Sequence, residues 1–124
     1  MSRRWPAATL VALVLACASP TLPLPPPAAP TVEYVDSEHV TLTGACYGAQ
    51  PNAQISVTND RLQAEEPDAG SDEFGVPTSS CGSWSETVPA RSGDELIIQQ
   101  EVNYISSYPL YLCLGMPGNE CPPQ

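Results

Sequence analysis

The side chains best suited to covalent chemistry are five cysteines, and they divide unevenly. Cys17 stands alone near the amino end, while Cys46, Cys81, Cys113 and Cys121 lie in the later region. Four cysteines in a short exported domain read as two disulfides, and sequence alone leaves their pairing open. The seven-residue gap between Cys113 and Cys121 is not that of a zinc site, and an oxidising compartment disfavours thiolate ligands. The second chemically rich stretch is acidic. Residues 64–80 (AEEPDAGSDEFGVPTSS) gather Glu65, Glu66, Asp68, Asp72 and Glu73 among Gly, Pro and Ser. That composition predicts a solvated insertion between strands. Asp68, Asp72 and Glu73 also offer oxygens to calcium, although their spacing matches no EF-hand loop.

Acid–base and nucleophilic chemistry find little footing. His39 is the only histidine and reads as a strand-edge residue rather than a base. Ser79, Ser80 and Ser83 flank Cys81 and Gly82, but no Gly-x-Ser-x-Gly elbow surrounds them. The Glu65–Glu66 pair falls in the expected loop, which would not fix a general acid and base. No phosphate-cradling glycine loop occurs. The expectation is a non-enzymatic protein with no catalytic residue and no cofactor.

The 124 residues leave room for one domain. A unit of roughly 90 residues buries about 60–65% of the surface its unfolded chain exposes, so covalent closure matters to it. Lysine is absent, and the basic residues are Arg3, Arg4, Arg61 and Arg91. All fourteen carboxylates follow Cys17, so against Arg61 and Arg91 they leave −12 on the later chain. Phosphate backbones would repel such a surface, which argues against a nucleic-acid partner.

Arg3 and Arg4 form a positive start, and Ala7–Ala16 (AATLVALVLA) is an apolar run. It is too short to span a hydrocarbon layer of about 30 Å, and so reads as a signal peptide. Its end, Val14-Leu15-Ala16-Cys17, resembles the lipobox of bacterial lipoproteins. The resemblance implies cleavage after Ala16 and acylation of Cys17, palmitate being one such chain. An ordinary secretory signal with an incidental Cys17 is the alternative. Residues 18–30 (ASPTLPLPPPAAP) contain six prolines and predict a semi-rigid spacer reaching on the order of 40 Å. The expected division is therefore 1–16 signal peptide, 17–30 lipidated cysteine and tether, and 31–124 folded domain.

That domain reads as all-β. Val40 and Leu42 alternate with threonines, and Ile55 and Val57 alternate with polar residues. Period-two alternation rich in β-branched residues marks half-buried strands. Further strands are expected at 31–35, 83–88, 95–102 and 107–114, with no convincing helix. Short strands at this spacing predict a small antiparallel sandwich of about six or seven strands.

The strings VTLTG (40–44), PNAQISV (51–57), GSWS (82–85), VPA (88–90) and GDEL (93–96) resemble bacterial Ig-like domains of surface proteins. In that family a glycine ends one strand, a Pro-x-Ala turn opens the next, and a Gly-x-Trp-Ser strand leads to a glycine turn. The resemblance implies that Cys46 lies near Cys81, leaving Cys113 and Cys121 to close a terminal loop. It makes Trp84 a core residue. Glu86 departs from the pattern, because an inward aliphatic is usual there, and predicts an edge strand or shifted register. Tyr104, Tyr108 and Tyr111 gather near the last strand, where packing or exposure outweighs a contact surface.

Together these readings describe a bacterial cell-envelope protein held in the outer membrane or cell surface by a lipid anchor. It would display an Ig-like domain to another envelope protein or a glycan, or serve a structural role. A calcium-responsive binding module and a secreted enzyme inhibitor, with the terminal loop as inserted element, are the alternatives.

Overall fold

A computed structural model describes residues 23–65 and 73–123. Its elements are β1 (Thr31–Tyr34), β2 (His39–Gly44), β3 (Gln54–Asn59), α1 (Asp60–Glu65), β4 (Glu73–Pro77) and β5 (Trp84–Pro89). Then follow β6 (Glu95–Val102), β7 (Ile105–Ser106), β8 (Leu110–Cys113) and a 3-10 turn at Pro117–Asn119. The expected alternation places side chains as the pleat requires. Val40 and Leu42 of β2, Ile55 and Val57 of β3, and Leu96 and Ile98 of β6 are all buried.

The strands make two antiparallel sheets. One runs β1-β2-β5, and the other runs β4-β3-β6, with β7 and β8 sharing the far edge of β6. Consecutive strands β2 and β3 thus lie in different sheets, as do β4 and β5, and β5 and β6. This is the strand order of an Ig-like sandwich in which the fourth strand, β4, lies beside β3 instead of beside β5. The facing sheets enclose one core, to which Trp84, Val88, Ala90, Leu112 and Leu114 also contribute. Trp84 is buried as expected, and its indole lies over Gly44, its partner in register. Glu86 pairs with Leu42 on the inner face, but β5 is an edge strand, and there the carboxylate stays partly exposed.

The two disulfides are Cys46–Cys81 and Cys113–Cys121. The first ties the loop after β2 to the loop before β5, at one end of the sandwich. Their sequence separations of 35 and 8 residues correspond in the loop-entropy model to about 4 and 2.5 kcal/mol. Against a typical total of about 5–15 kcal/mol, these closures weigh heavily.

Four details depart from the sequence reading. The helix α1 was not expected, because six residues are too few to show helical periodicity. It starts because Asn59 Oδ1 accepts hydrogen bonds from the N–H groups of Arg61 (3.0 Å) and Leu62 (3.4 Å). The stretch 64–80, expected as loop, contains β4, which pairs with β3 from Gln54↔Pro77 to Thr58↔Glu73. Main-chain pairing at an edge tolerates the Gly75 and Pro77 that made it read as a turn.

The last expected strand, 107–114, is broken. Asn103 (φ 52°) and Tyr104 (φ 67°) both sit in the left-handed region and turn the chain from β6 into β7. Two such residues make the tight turn that suits a twisted hairpin. One extra residue then separates the Glu101↔Ser106 register from the Ile98↔Leu110 register, a bulge that splits β7 from β8.

The spacer, read as free to residue 30, is docked from Leu24 onward. Leu24 C=O accepts from Tyr108 N–H (3.2 Å), Pro25 C=O from Gln100 Nε2 (3.0 Å), and Ala28 N–H donates to Gly48 C=O (2.7 Å). Pro27 and Pro30 are buried. Proline lacks a donor, so a proline-rich segment can be buried once its carbonyls find donors.

The sandwich has two distinct ends. The hairpin pole carries the loops 45–53 and 78–83 and the β6–β7 turn. The helix pole carries the β1–β2 turn, α1, and the turns 90–94 and 114–120. Gly44→Ala should lower stability by about 2–4 kcal/mol in denaturant titration, since the new methyl would overlap the Trp84 indole.

Candidate functional site

At the helix pole a charged group, Asp94, is buried. Its Oδ1 accepts from Arg61 Nε (2.8 Å), and its Oδ2 accepts from Arg61 (3.1 Å), Asn59 Nδ2 (2.9 Å) and Arg91 N–H (2.9 Å). Asn59 Nδ2 also donates to Pro89 C=O. Arg61 in turn reaches Glu65 one helical turn on, at 3.1 Å. Burial pushes the Asp94 carboxyl up, but the guanidinium, the amide and the main-chain N–H outweigh it and hold it below its ordinary value. Every buried side-chain nitrogen and oxygen of the cluster has a partner, so the cluster locks α1 to the β5–β6 turn and its buried groups are taken up by one another.

Sequence-predicted site residues fall in separate places. Cys17, Asp68 and Asp72 lie outside the described residues, and of Glu73 only its backbone place at the start of β4 is described. His39 opens β2 and is exposed, with Nδ1 3.0 Å from Asp36. Ser79 Oγ bonds Ser83 Oγ at 2.7 Å and accepts from the N–H groups of Cys81 and Ser83, which shapes the turn around Cys81. His39 pairs with Pro89, whereas Ser85 pairs with Thr43 near the opposite end, so the sandwich does not bring the serines around Cys81 to His39. Glu95 does stand beside Cys113 and Cys121, but their sulfurs are joined to each other and are not thiolates.

What remains are surfaces. The outer face of the five-stranded sheet carries Gln54, Ser56 and Thr58 of β3, and Ile97, Gln99 and Glu101 of β6, with Tyr111 of β8 opposite Ile97. Gln54, Ser56, Gln99, Glu101 and Ser106 line a groove on it. Amides, hydroxyls and one phenol in a row suit hydrogen bonding to a polar partner. All five tyrosines of the sequence are exposed. Tyr104, Tyr108 and Tyr111, for which packing had been an open reading, all stand out from the core.

Sequence reasoning missed Gln100. It occupies an inward position of β6 and is 2% exposed. Its Oε1 accepts from Gln50 N–H (2.7 Å), and its Nε2 donates to Pro25 C=O. One buried amide thus fastens the β2–β3 loop and the proline segment to the second sheet. A glutamine at an inward strand position was the available signal.

Asp94 gives a pH prediction. Its folded-state pKa lies below its unfolded value, so the unfolded chain takes up the proton first. The stability it contributes is present above the ordinary carboxylate range and is lost as pH falls through the folded value. Asp94→Ala should cost about 2–4 kcal/mol near neutrality, because Arg61 and Asn59 lose their acceptor. In denaturant titrations wild type and variant should keep their difference down to about pH 4 and converge only as pH falls further, through the lowered folded value.

No protein-family model matches the chain, and no curated protein matches it in sequence, so its placement rests on fold and residues.

Proposed function

We propose that this is a lipid-anchored bacterial envelope protein whose Ig-like domain is displayed for non-enzymatic contact with another envelope protein or a glycan. The observation that carries the reading is the odd cysteine. Cys46, Cys81, Cys113 and Cys121 are joined in pairs, which leaves Cys17 as the one cysteine outside them. It closes an apolar signal-like run, where acylation gives it a role. One acyl chain anchors only marginally, and several on one cysteine make attachment durable. The groove of Gln54, Ser56, Gln99, Glu101 and Ser106, with Tyr111 nearby, is the display surface this reading favours. Its polar groups are held on paired strands rather than on loops, which keeps their spacing fixed.

Intact mass of the mature protein under non-reducing conditions should equal residues 17–124 with acyl mass and four oxidised cysteines. Cys17→Ser should leave the membrane fraction without acyl mass. A chain cut elsewhere and carrying no acyl group would defeat the reading. For the display surface, Gln54→Arg, at an exposed groove position, should keep the melting temperature and lose the partner recovered from envelope extract by wild type. Equal recovery would move the contact elsewhere.

A further inference from the structure

Charge is distributed along this sandwich very unevenly. Residues 18–32, 44–59, 74–85 and 102–119 contain no Asp, Glu, Lys or Arg. These stretches build the whole hairpin pole: the docked proline segment, the loops 45–53 and 78–83, and the β6–β7 turn. Glu101, opposite Gln54, is the single charged residue beside that pole among the described residues. The helix pole carries Asp36, Glu38, Asp60, Glu65, Asp94, Glu95 and Glu120, against Arg61 and Arg91.

The uncharged pole also bears the two most exposed tyrosines, Tyr47 at 91% and Tyr104 at 97%. Both have positive φ, 69° and 67°. That backbone costs a bulky residue about 1 kcal/mol or more, and glycine would adopt it freely. Two large aromatic side chains are thus held outward at positions that local conformation does not favour. Their loops are cross-tied: Tyr47 N–H to Cys81 C=O, Asn52 N–H to Ser79 C=O, and Gln50 N–H to Gln100.

The chain enters the domain at this same end. Leu24 lies parallel to Ser107, one residue inward from the β7 end, so the preceding residue points toward the hairpin pole. Seven residue steps from Cys17 to Leu24 span at most about 25 Å. Placing the helix pole downward would require that leash to reverse direction at Leu24, which lies level with Gln100, and run back about 17 Å to Glu95 and then past the turns beyond it.

We propose that the hairpin pole, with Tyr47 and Tyr104, rests on the surface of the bilayer to which Cys17 is attached. This inference rests on the lipid-anchor reading above. Tyrosine suits the headgroup boundary, where its ring meets apolar matter and its hydroxyl stays wet. With this pole down, the carboxylates of α1 and the 90–94 turn stand a sandwich length from anionic headgroups. That exceeds the screening length of about 8–10 Å, whereas the inverted domain would bring them within it. The acidic helix pole and the open sheet face are then turned away from the lipid.

The test uses the mature lipidated protein in phosphatidylglycerol–phosphatidylethanolamine vesicles containing headgroup spin-labelled lipid. Single variants Tyr104→Trp, Tyr47→Trp and Met116→Trp report the two poles, with buried Trp84 a common background. Flotation should recover all three with the vesicles. Emission from the Tyr104→Trp and Tyr47→Trp chains should be quenched several-fold more than that from Met116→Trp. Chains that float but show equal quenching, or stronger quenching of Met116→Trp, would overturn the orientation and leave the anchor standing. Failure of the wild type to float and to carry acyl mass would remove the anchor and the orientation with it. An envelope protein that co-purifies through Tyr47 and Tyr104, with neither reporter quenched by lipid, would also overturn it.

Discussion

Two small sheets must close over a thin core, and the rest of this domain depends on that closure. The core draws on alternate positions of β2, β3, β5 and β6, where Val40, Leu42, Ile55, Val57, Val88, Leu96 and Ile98 meet across the interface. Trp84 lies directly over Gly44, where a missing side chain in one strand admits the indole of the next. Burial of about 1.5–3 kcal/mol per large side chain is set against the entropy of ordering the whole chain, which is of similar total size. The Cys46–Cys81 and Cys113–Cys121 links reduce that opposing entropy at opposite ends of the sandwich.

Polar groups inside the domain are confined to its two ends. Asp94 with Arg61 and Asn59 closes the helix pole, and Gln100 with Gln50 and Pro25 closes the hairpin pole. Among the described residues every buried side-chain nitrogen and oxygen has at least one partner, as the cost of an unpaired one requires. The consequence is directional. The first cluster holds a helix carrying acids, while the second holds an uncharged segment that leads back toward Cys17. A domain with such unlike ends has an orientation relative to whatever holds it.

The parts of the fold that were legible were those governed by local periodicity. Val40 and Leu42 announced β2, Ile55 and Val57 announced β3, and both strands lie where alternation put them. The short motifs from Val40 to Leu96 also carried enough likeness to foresee both disulfide pairs and the buried Trp84. Three elements gave no such signal. The helix α1 owes its existence to the Asn59 cap, β4 to main-chain pairing with β3, and the split of β7 from β8 to a one-residue bulge. Each depends on a neighbour distant in sequence or on a single side-chain contact, and neither leaves a period in the chain.

By itself the sequence determined the all-β character, the count of paired cysteines and the excess of carboxylates, because these follow from composition and from spacing along one strand. It also placed the odd cysteine after an apolar run. Only the tertiary structure decided that the proline segment belongs to the domain from Leu24, since its carbonyls are met by Gln100 and Tyr108, far along the chain. It likewise brought parts of four charge-free stretches together at one end and most described acids to the other. Sequence order cannot show that gathering, because antiparallel strands reverse direction at every turn and bring alternate loops to the same pole.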